Sequence, residues 1–320
     1  MLSAVSGALD QAVAGLYRRH VYRPARTPWA WPAGGADPGD WEPVRCPRPD
    51  GHAVAALYGR AEGPARGVVV CAHPLTREAK GYFLEHGHAA ALRRSGYNVL
   101  LLDFGGCGET PLQSVLFPHD VLAAGDEAAR RAPGLPVGFL GVCFGAVYGA
   151  CAFSTPGHPF LAAVLDAPYT DAVAAFRATS PHTARARRRR LRRALVRCAM
   201  PLLPALDPLR QASRAVSLRG VLLVAGGADA LSPPADVRRY LPAFGRAGVP
   251  CDLWTVDGAE HTEAFRTASA DYAARVVSFF DAHLASRAGR RGTGQTRARP
   301  PRPRLQRVGR RTVGASGSGR

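Results

Sequence analysis

Several common patterns are missing from this sequence of 320 residues. No apolar run approaches the ~20 residues needed to span a bilayer, so no transmembrane segment is predicted. The seven cysteines are odd in number and scattered, without a C-x-x-C pair that would indicate zinc or a redox dithiol. Near the start, an acid precedes the basic residues, which is the wrong order for a secretory signal. These absences predict a cytoplasmic protein without a metal site.

Lysine is also nearly absent. Lys80 is the only lysine among 42 basic residues, so the net charge of +18 comes from arginine. Eight arginines lie between Arg185 and Arg197, eleven lie in residues 286–320, and neither segment contains an acid. The rest of the chain is nearly neutral. With little aromatic interleaving and no nucleic-acid motif, we predict no specific nucleic-acid partner, only weak and salt-dependent binding of polyanions by the tail.

Apolar strand patterns alternate with helical patterns over most of the chain. This alternation predicts an α/β fold, with a mostly parallel sheet covered by helices on both faces. We expect an amphipathic helix and an irregular arm in residues 1–40, and one α/β domain in residues 41–284. Residues 169–219 contain no clear strand pattern, which predicts a helical cap inserted over the sheet. The low-complexity, arginine-rich tail 285–320 is expected to be disordered.

The individual elements follow from the same patterns. A Pro-Asp-Gly sequence between the first two strand patterns predicts a hairpin turn. Strands are predicted at 41–48, 53–58, 67–72, 97–103, 137–142, 162–166, 220–225 and 251–256. Helices are predicted at 83–95, 120–131, 146–153 and 268–284.

The stretch GVCFG, residues 141–145, has the G-x-S-x-G nucleophile pattern with Cys143 in the place of the serine. Cys143 follows an apolar strand and precedes a helix, and the two glycines would permit the sharp turn that such a nucleophile needs. A buried core cysteine is the other interpretation, because free cysteines are often buried. A core cysteine does not need flanking glycines, so the pattern favours a nucleophile.

Two further residues follow strands in the chain order of a nucleophile, an acid and a histidine. Asp229 lies in GGADALSPP just after one strand, and His261 lies in DGAEHTEAF just after the next. Each residue in isolation could be an ordinary surface side chain. The carboxyl ends of parallel strands meet at one edge of a sheet, however, so these residues should lie together. We therefore predict a catalytic set of Cys143, Asp229 and His261.

These motifs, together with CAHPLTREAKGYF and LLDFGGCGET, resemble those of the α/β-hydrolase superfamily. The Gly-x-Cys-x-Gly elbow is similar to that of dienelactone hydrolases and polyhydroxyalkanoate synthases, which use Cys-His-Asp sets. The resemblance implies an oxyanion hole formed by the backbone N–H groups of Phe144 and Leu75. Pro74 stands where members of the superfamily often have glycine, and it has no N–H to donate.

The resemblance also implies hydrolysis of an ester, lactone or thioester of a small acyl substrate. The reaction would pass through an acyl-enzyme on Cys143 and would need no cofactor. The alternatives are acyl transfer from the same intermediate, and a catalytically silent binding module. Beside the oxyanion loop, His73, Arg77 and Lys80 are candidate substrate-binding residues. Lys80 could instead form a Schiff base or cap a helix.

Overall fold

The computed structural model describes residues 30–32, 36–76, 78–171 and 204–285. The predicted N-terminal helix, Arg77, most of the predicted cap and the arginine-rich tail lie outside these residues. In the part that is described, no helix is both long and apolar enough to cross a membrane.

Eight strands form one mostly parallel sheet. They are β1 Trp41–Pro47, β2 Ala53–Gly59, β3 Gly67–Ala72, β4 Tyr97–Leu102, β5 Val137–Val142, β6 Phe160–Asp166, β7 Gly220–Gly226 and β8 Cys251–Val256. Their order across the sheet is β1-β2-β4-β3-β5-β6-β7-β8. The β1–β2 and β2–β4 pairs are antiparallel, and all the others are parallel. The predicted α/β fold class is confirmed.

Nine α-helices lie within the described residues. They are α1 Gly81–Glu85, α2 His88–Arg94, α3 Pro118–Arg131, α4 Phe144–Ala152, α5 Pro208–Ala212, α6 Pro234–Val237, α7 Tyr240–Arg246, α8 Ala264–Thr267 and α9 Ser269–Leu284. Short 3₁₀ turns occur at Pro38–Asp40 and Pro204–Leu206.

Two adjacent residues of β5 show that helices cover both faces of the sheet. Phe139 contacts Gly149 of α4, because a Cβ on that glycine would lie 2.2 Å from the phenyl ring. A Cβ on the preceding Gly138 would lie 2.9 Å from Phe280 of α9. Successive residues of a strand face opposite sides. Helices α4 and α9 therefore bury opposite faces of the central strands, which are buried along their whole length and almost entirely apolar.

The largest error of the sequence prediction concerns the helix expected at 83–95. The structure has two helices there, α1 and α2, separated at Gly87. Gly87 has a φ of 85°, a left-handed conformation that ends one helix and that glycine adopts without a steric penalty. The short helices α6, α7 and α8 were not predicted. Helix α4 starts at Phe144, directly after Cys143 and two residues earlier than expected.

Candidate active site

Cys143 forms a sharp turn between β5 and α4. Its backbone has φ 51° and ψ −108°, a strained conformation for a residue with a side chain. The Cys143 N–H donates to the carbonyl oxygen of Asp166 at 2.8 Å, and its own carbonyl accepts from the Val147 N–H at 3.0 Å. Hydrogen bonds on both sides of the turn thus hold the strained residue, and with it the thiol.

The two glycines that flank this turn are required by close backbone contacts. A Cβ on Gly145 would lie 1.9 Å from the carbonyl oxygen of Ala72, the last residue of β3. A Cβ on Gly141 would lie 2.6 Å from the backbone nitrogen of Ala146. No larger residue fits either position without moving main chain. The glycines therefore let α4 start directly above the end of β3, which places Cys143 at the carboxyl edge of the sheet.

The structure brings together the three residues of the predicted catalytic set. Nε2 of His261 lies 3.0 Å from Sγ of Cys143, and Nδ1 of His261 lies 2.8 Å from Oδ2 of Asp229. The other oxygen of Asp229 accepts the backbone N–H groups of Leu231 and Ser232, both at 2.8 Å. Cys143 and Asp229 are buried, whereas the His261 side chain keeps 23% of its surface exposed. A continuous hydrogen-bonded chain thus runs from carboxylate to thiol, with the imidazole reachable from solvent.

The charges around His261 favour its protonated form. Burial opposes a charge on the ring, but the hydrogen bonds to Asp229 and Cys143 outweigh it and raise the pKa of His261 to about 10. Because the carboxylate can only accept, Nδ1 carries a proton and Nε2 is the atom that faces the thiol. His261 can therefore take the thiol proton and hold it as an imidazolium.

The two predicted oxyanion donors lie on segments that meet at the elbow. Phe144 is the first residue of α4, and the first N–H groups of a helix have no acceptor within that helix. Leu75 lies in the loop that follows β3 and is 47% exposed. This loop continues from Ala72, whose carbonyl touches Gly145. The Phe144 N–H is therefore next to the nucleophile in sequence, and the Leu75 loop is brought near it by the contact between Ala72 and Gly145.

Two of the candidate substrate-binding residues are fully buried. The Phe104 N–H donates to Nε2 of His73 at 3.2 Å, so Nδ1–H of His73 donates to the Pro74 carbonyl at 2.6 Å. Nζ of Lys80 lies 2.6 Å from a carboxylate oxygen of both Asp103 and Glu109. Both side chains are 0% exposed and bonded within the protein. We therefore do not retain His73 and Lys80 as substrate ligands; they support the loop that carries Leu75.

The sequence analysis did not identify Asp166 as a site residue. This residue ends β6 and is 1% exposed, and its Oδ2 accepts a hydrogen bond of 2.9 Å from the hydroxyl of Tyr272. Burial raises the pKa of Asp166 to about 7, against the hydrogen bond from Tyr272 and the nearby His261. The signal was present in the stretch AAVLD, where an acid terminates an apolar strand at the same edge as Cys143.

Among the described residues, no group of three or more His, Cys, Asp or Glu side chains could hold a metal ion.

Comparisons with known proteins bear on the fold. No protein-family model and no curated protein matches the sequence. Among solved structures, an esterase from Pyrococcus furiosus superposes with a TM-score of 0.62 at 16% identity, covering 81% of this chain and 100% of the esterase. A lipase in its open form gives a TM-score of 0.62 at 15% identity, covering 77% of this chain and 100% of the lipase.

The chain has an α/β-hydrolase fold. An acylaminoacyl peptidase from Pyrococcus horikoshii shares it, with a TM-score of 0.56 at 15% identity over 77% of this chain and 42% of the peptidase. At these identities the likeness concerns the fold alone, which supports many chemistries. The argument for function therefore depends on the geometry of Cys143, Asp229 and His261 within the α/β-hydrolase fold.

Proposed function

We propose that the protein is a hydrolase that cleaves an ester, lactone or thioester. Cys143 is its nucleophile, His261 its general base and acid, and Asp229 the group that orients the imidazole. One observation carries this proposal: the hydrogen-bonded chain in which Nε2 of His261 lies 3.0 Å from Sγ of Cys143 and Nδ1 lies 2.8 Å from Asp229. That geometry is within the reach needed for proton transfer between a nucleophile and its base.

The first half-reaction acylates the enzyme. Nε2 of His261 takes the thiol proton, and the thiolate sulfur of Cys143 forms a bond to the substrate carbonyl carbon. The electron pair of the carbonyl π bond moves to oxygen, where the N–H groups of Phe144 and Leu75 stabilise the negative charge. When the intermediate collapses, the bond to the leaving alcohol or thiol breaks, and His261 returns its proton to that group.

The second half-reaction releases the acid. His261 removes a proton from a water molecule, whose oxygen attacks the carbonyl carbon of the acyl-thioester. Collapse of the intermediate breaks the carbon–sulfur bond, and the Cys143 thiol regains its proton from His261. Throughout both steps Asp229 holds the ring orientation and stabilises the imidazolium by its charge.

The sulfur nucleophile favours activated substrates. In the tetrahedral intermediate, collapse expels the better of two leaving groups, and a thiolate leaves more readily than an amine. Attack on an amide would therefore mostly revert, whereas the alkoxide of an activated ester or lactone, or the thiolate of a thioester, competes well. The Gly-x-Cys-x-Gly elbow supports a place among cysteine-dependent α/β-hydrolases such as the dienelactone hydrolases.

Iodoacetamide labelling at neutral pH tests the activated thiol without knowledge of the substrate. Peptide mass spectrometry should show Cys143 modified much faster than an ordinary thiol, because a thiolate paired with an imidazolium reacts at pH 7. His261→Ala should slow this labelling by roughly tenfold or more. Cys251 is an internal control, since burial raises its thiol pKa to about 12 and it should label slowly in both proteins. Labelling of Cys143 as slow as that of Cys251 in the wild type would contradict the proposal.

A panel of p-nitrophenyl esters, lactones and acyl-thioesters then tests turnover. Cys143→Ala should lower kcat by about 10³-fold or more while leaving the circular dichroism spectrum unchanged, because the bond-forming atom is lost. Full activity in this variant would exclude Cys143 as the nucleophile. Product analysis with and without an added alcohol or amine distinguishes hydrolysis from acyl transfer.

A further inference from the structure

A second buried carboxyl group lies beside the Cys143–His261–Asp229 chain. Asp166 is 1% exposed, and its Oδ2 accepts a hydrogen bond of 2.9 Å from the Tyr272 hydroxyl. Within the residues that the structure describes, its Oδ1 has no hydrogen-bond partner. A buried carboxylate oxygen without a donor is unfavourable unless a nearby positive charge compensates it.

The groups that face Asp166 come from the elements on every side of it. Its backbone carbonyl accepts the Cys143 N–H at 2.8 Å, so β6 is tied to the nucleophile turn. Three ionisable side chains affect the pKa of the Asp166 carboxyl: Tyr272 on α9, Asp229 after β7 and His261 after β8. The charge of Asp166 in turn raises the pKa of Tyr82 on α1. Of these groups, His261 alone can become positive.

The protonation equilibria of these groups are linked. Burial raises the pKa of Asp166 to about 7, and Asp229 raises it further, whereas Tyr272 and the His261 imidazolium lower it. Linkage is reciprocal, so an ionised Asp166 must favour the protonated form of His261 by the same free energy. The carboxyl group changes charge near neutral pH, the range in which the proposed base works.

We propose that Asp166 is a positioning residue that acts through His261, as a second acid whose negative charge stabilises the imidazolium formed when Cys143 loses its proton. Asp229 orients the ring by a direct hydrogen bond, whereas Asp166 acts through space. This inference rests on the proposed function, because it assigns a partner to the same imidazolium. It gives the site two carboxyl groups with different tasks: Asp229 is hydrogen-bonded to the imidazole ring, and Asp166 acts on the ring by its charge.

Two variants separate the charge of Asp166 from its hydrogen bond. Asp166→Asn removes the charge but keeps an oxygen that accepts the Tyr272 hydroxyl. Tyr272→Phe removes that hydrogen bond but keeps the charge. The measurement is the pKa of His261 in the full-length protein, followed by ¹⁵N–¹H NMR of labelled imidazoles, with the signal assigned by its loss in His261→Ala.

In the wild type we expect His261 to titrate above its ordinary value, with a second inflection near pH 7 as Asp166 ionises. Asp166→Asn should abolish this inflection and lower the pKa of His261 by about 0.5 to 1 unit, a roughly three- to tenfold loss of proton affinity. Tyr272→Phe should retain the inflection and move it to higher pH, because it removes a hydrogen bond that lowers the Asp166 pKa.

Each contrary result has a separate meaning. A His261 titration that is the same in Asp166→Asn and in the wild type, with the pKa raised in both, would overturn the role of Asp166 and leave the proposed function standing. A wild-type His261 that titrates near 6.5, and that Cys143→Ala does not change, would overturn both. If Asp166→Asn does not fold, Tyr272→Phe decides alone, since a His261 signal without a second inflection in either soluble protein contradicts the inference.

Discussion

The hydroxyl group of Tyr82 donates a hydrogen bond of 3.0 Å to the backbone carbonyl of Thr262, the residue that follows His261. Tyr82 lies on α1, which begins just after the loop that carries Leu75. Thr262 has a φ of 64°, in the left-handed region that β-branched residues rarely adopt. The phenol therefore holds a strained segment of the loop from which the imidazole extends, and it connects that loop to α1.

Tyr82→Phe should reduce catalysis more than stability. The variant removes one hydrogen bond, worth about 1 kcal/mol, with little change in side-chain volume. A small displacement of the imidazole should nevertheless lower kcat by roughly three- to thirtyfold, with KM little changed, because proton transfer depends on position. Kinetics with the best ester or thioester of the panel would measure this. Tyr97→Phe is the matched control, since it also removes one tyrosine hydrogen bond, to Asp281. Equal kcat values in the two variants would contradict the prediction.

Gly145→Ala should be strongly destabilising. Its new Cβ would lie 1.9 Å from the Ala72 carbonyl oxygen, which belongs to a central strand and cannot move away without breaking the sheet. We expect a loss of at least about 2 kcal/mol in the free energy of unfolding. Gly245→Ala, in helix α7 with nothing within 4 Å of the new Cβ, should instead gain about 0.5–1 kcal/mol. Urea unfolding of both variants checks the prediction, and equal midpoints would be inconsistent with the contact at the elbow.

The positions of Cys143, Asp229 and His261 could be predicted because each follows an apolar strand, and a parallel sheet gathers the ends of its strands. The need for a glycine at position 145 could be predicted from the sharp turn, but the atom that excludes a Cβ there could not, since it belongs to Ala72 on a different strand. The break at Gly87 was missed because the apolar periodicity continues across it. A glycine inside a helical pattern is compatible with either one helix or two.

The role of Lys80 could not be predicted from the amino-acid composition. Its rarity suggested a functional cation, and lysines are almost never fully buried unless they are paired. The partners that permit its burial, Asp103 and Glu109, lie 23 and 29 residues further along the chain. Such pairing depends on the packing of two loops, which strand and helix patterns do not reveal.

Lys80→Met should therefore cost stability. It would leave the fully buried Asp103 carboxylate without its cation, a change that typically costs about 3–5 kcal/mol. Arg266→Met removes an exposed arginine from its pair with Glu263, and it should leave the unfolding midpoint nearly unchanged because an exposed ion pair contributes little to stability. Chemical denaturation compares the two. A Lys80 variant as stable as the Arg266 variant would show that the buried ion pair is not needed for folding.

His88→Leu should protect the protein against acid. The ring of His88 is buried against Phe265, and neither nitrogen has a hydrogen-bond partner in the described residues. Burial, with a smaller contribution from His86, lowers the pKa of His88 to about 3. Above pH 6.5, the ordinary pKa of histidine, the ring is neutral in both the folded and the unfolded protein. As the pH falls from 6.5 towards 3, the unfolded chain binds a proton that the folded protein does not, so the free energy of unfolding decreases.

The stability difference between His88→Leu and wild type should therefore grow as the pH falls. Below pH 6.5 the expected gain is roughly 1 kcal/mol per pH unit. Urea unfolding midpoints at pH 7, 6 and 5 measure it. A difference in midpoint between His88→Leu and wild type that stays the same from pH 7 to pH 5 would mean that His88 becomes protonated without unfolding the protein.

The turn at Cys143 also has a consequence for how the protein acquires its chemistry. The thiol and its proposed base are separated by 118 residues, and the glycine contact that shapes the turn reaches back to the third strand. Pairings of such long sequence separation are slow to form, because closing a long loop costs chain entropy before the contact stabilises anything. A nascent chain that already displays Cys143 therefore has no imidazole beside it during synthesis. The proposed activation of the thiol therefore requires that β8 and the loop carrying His261 have docked on the sheet.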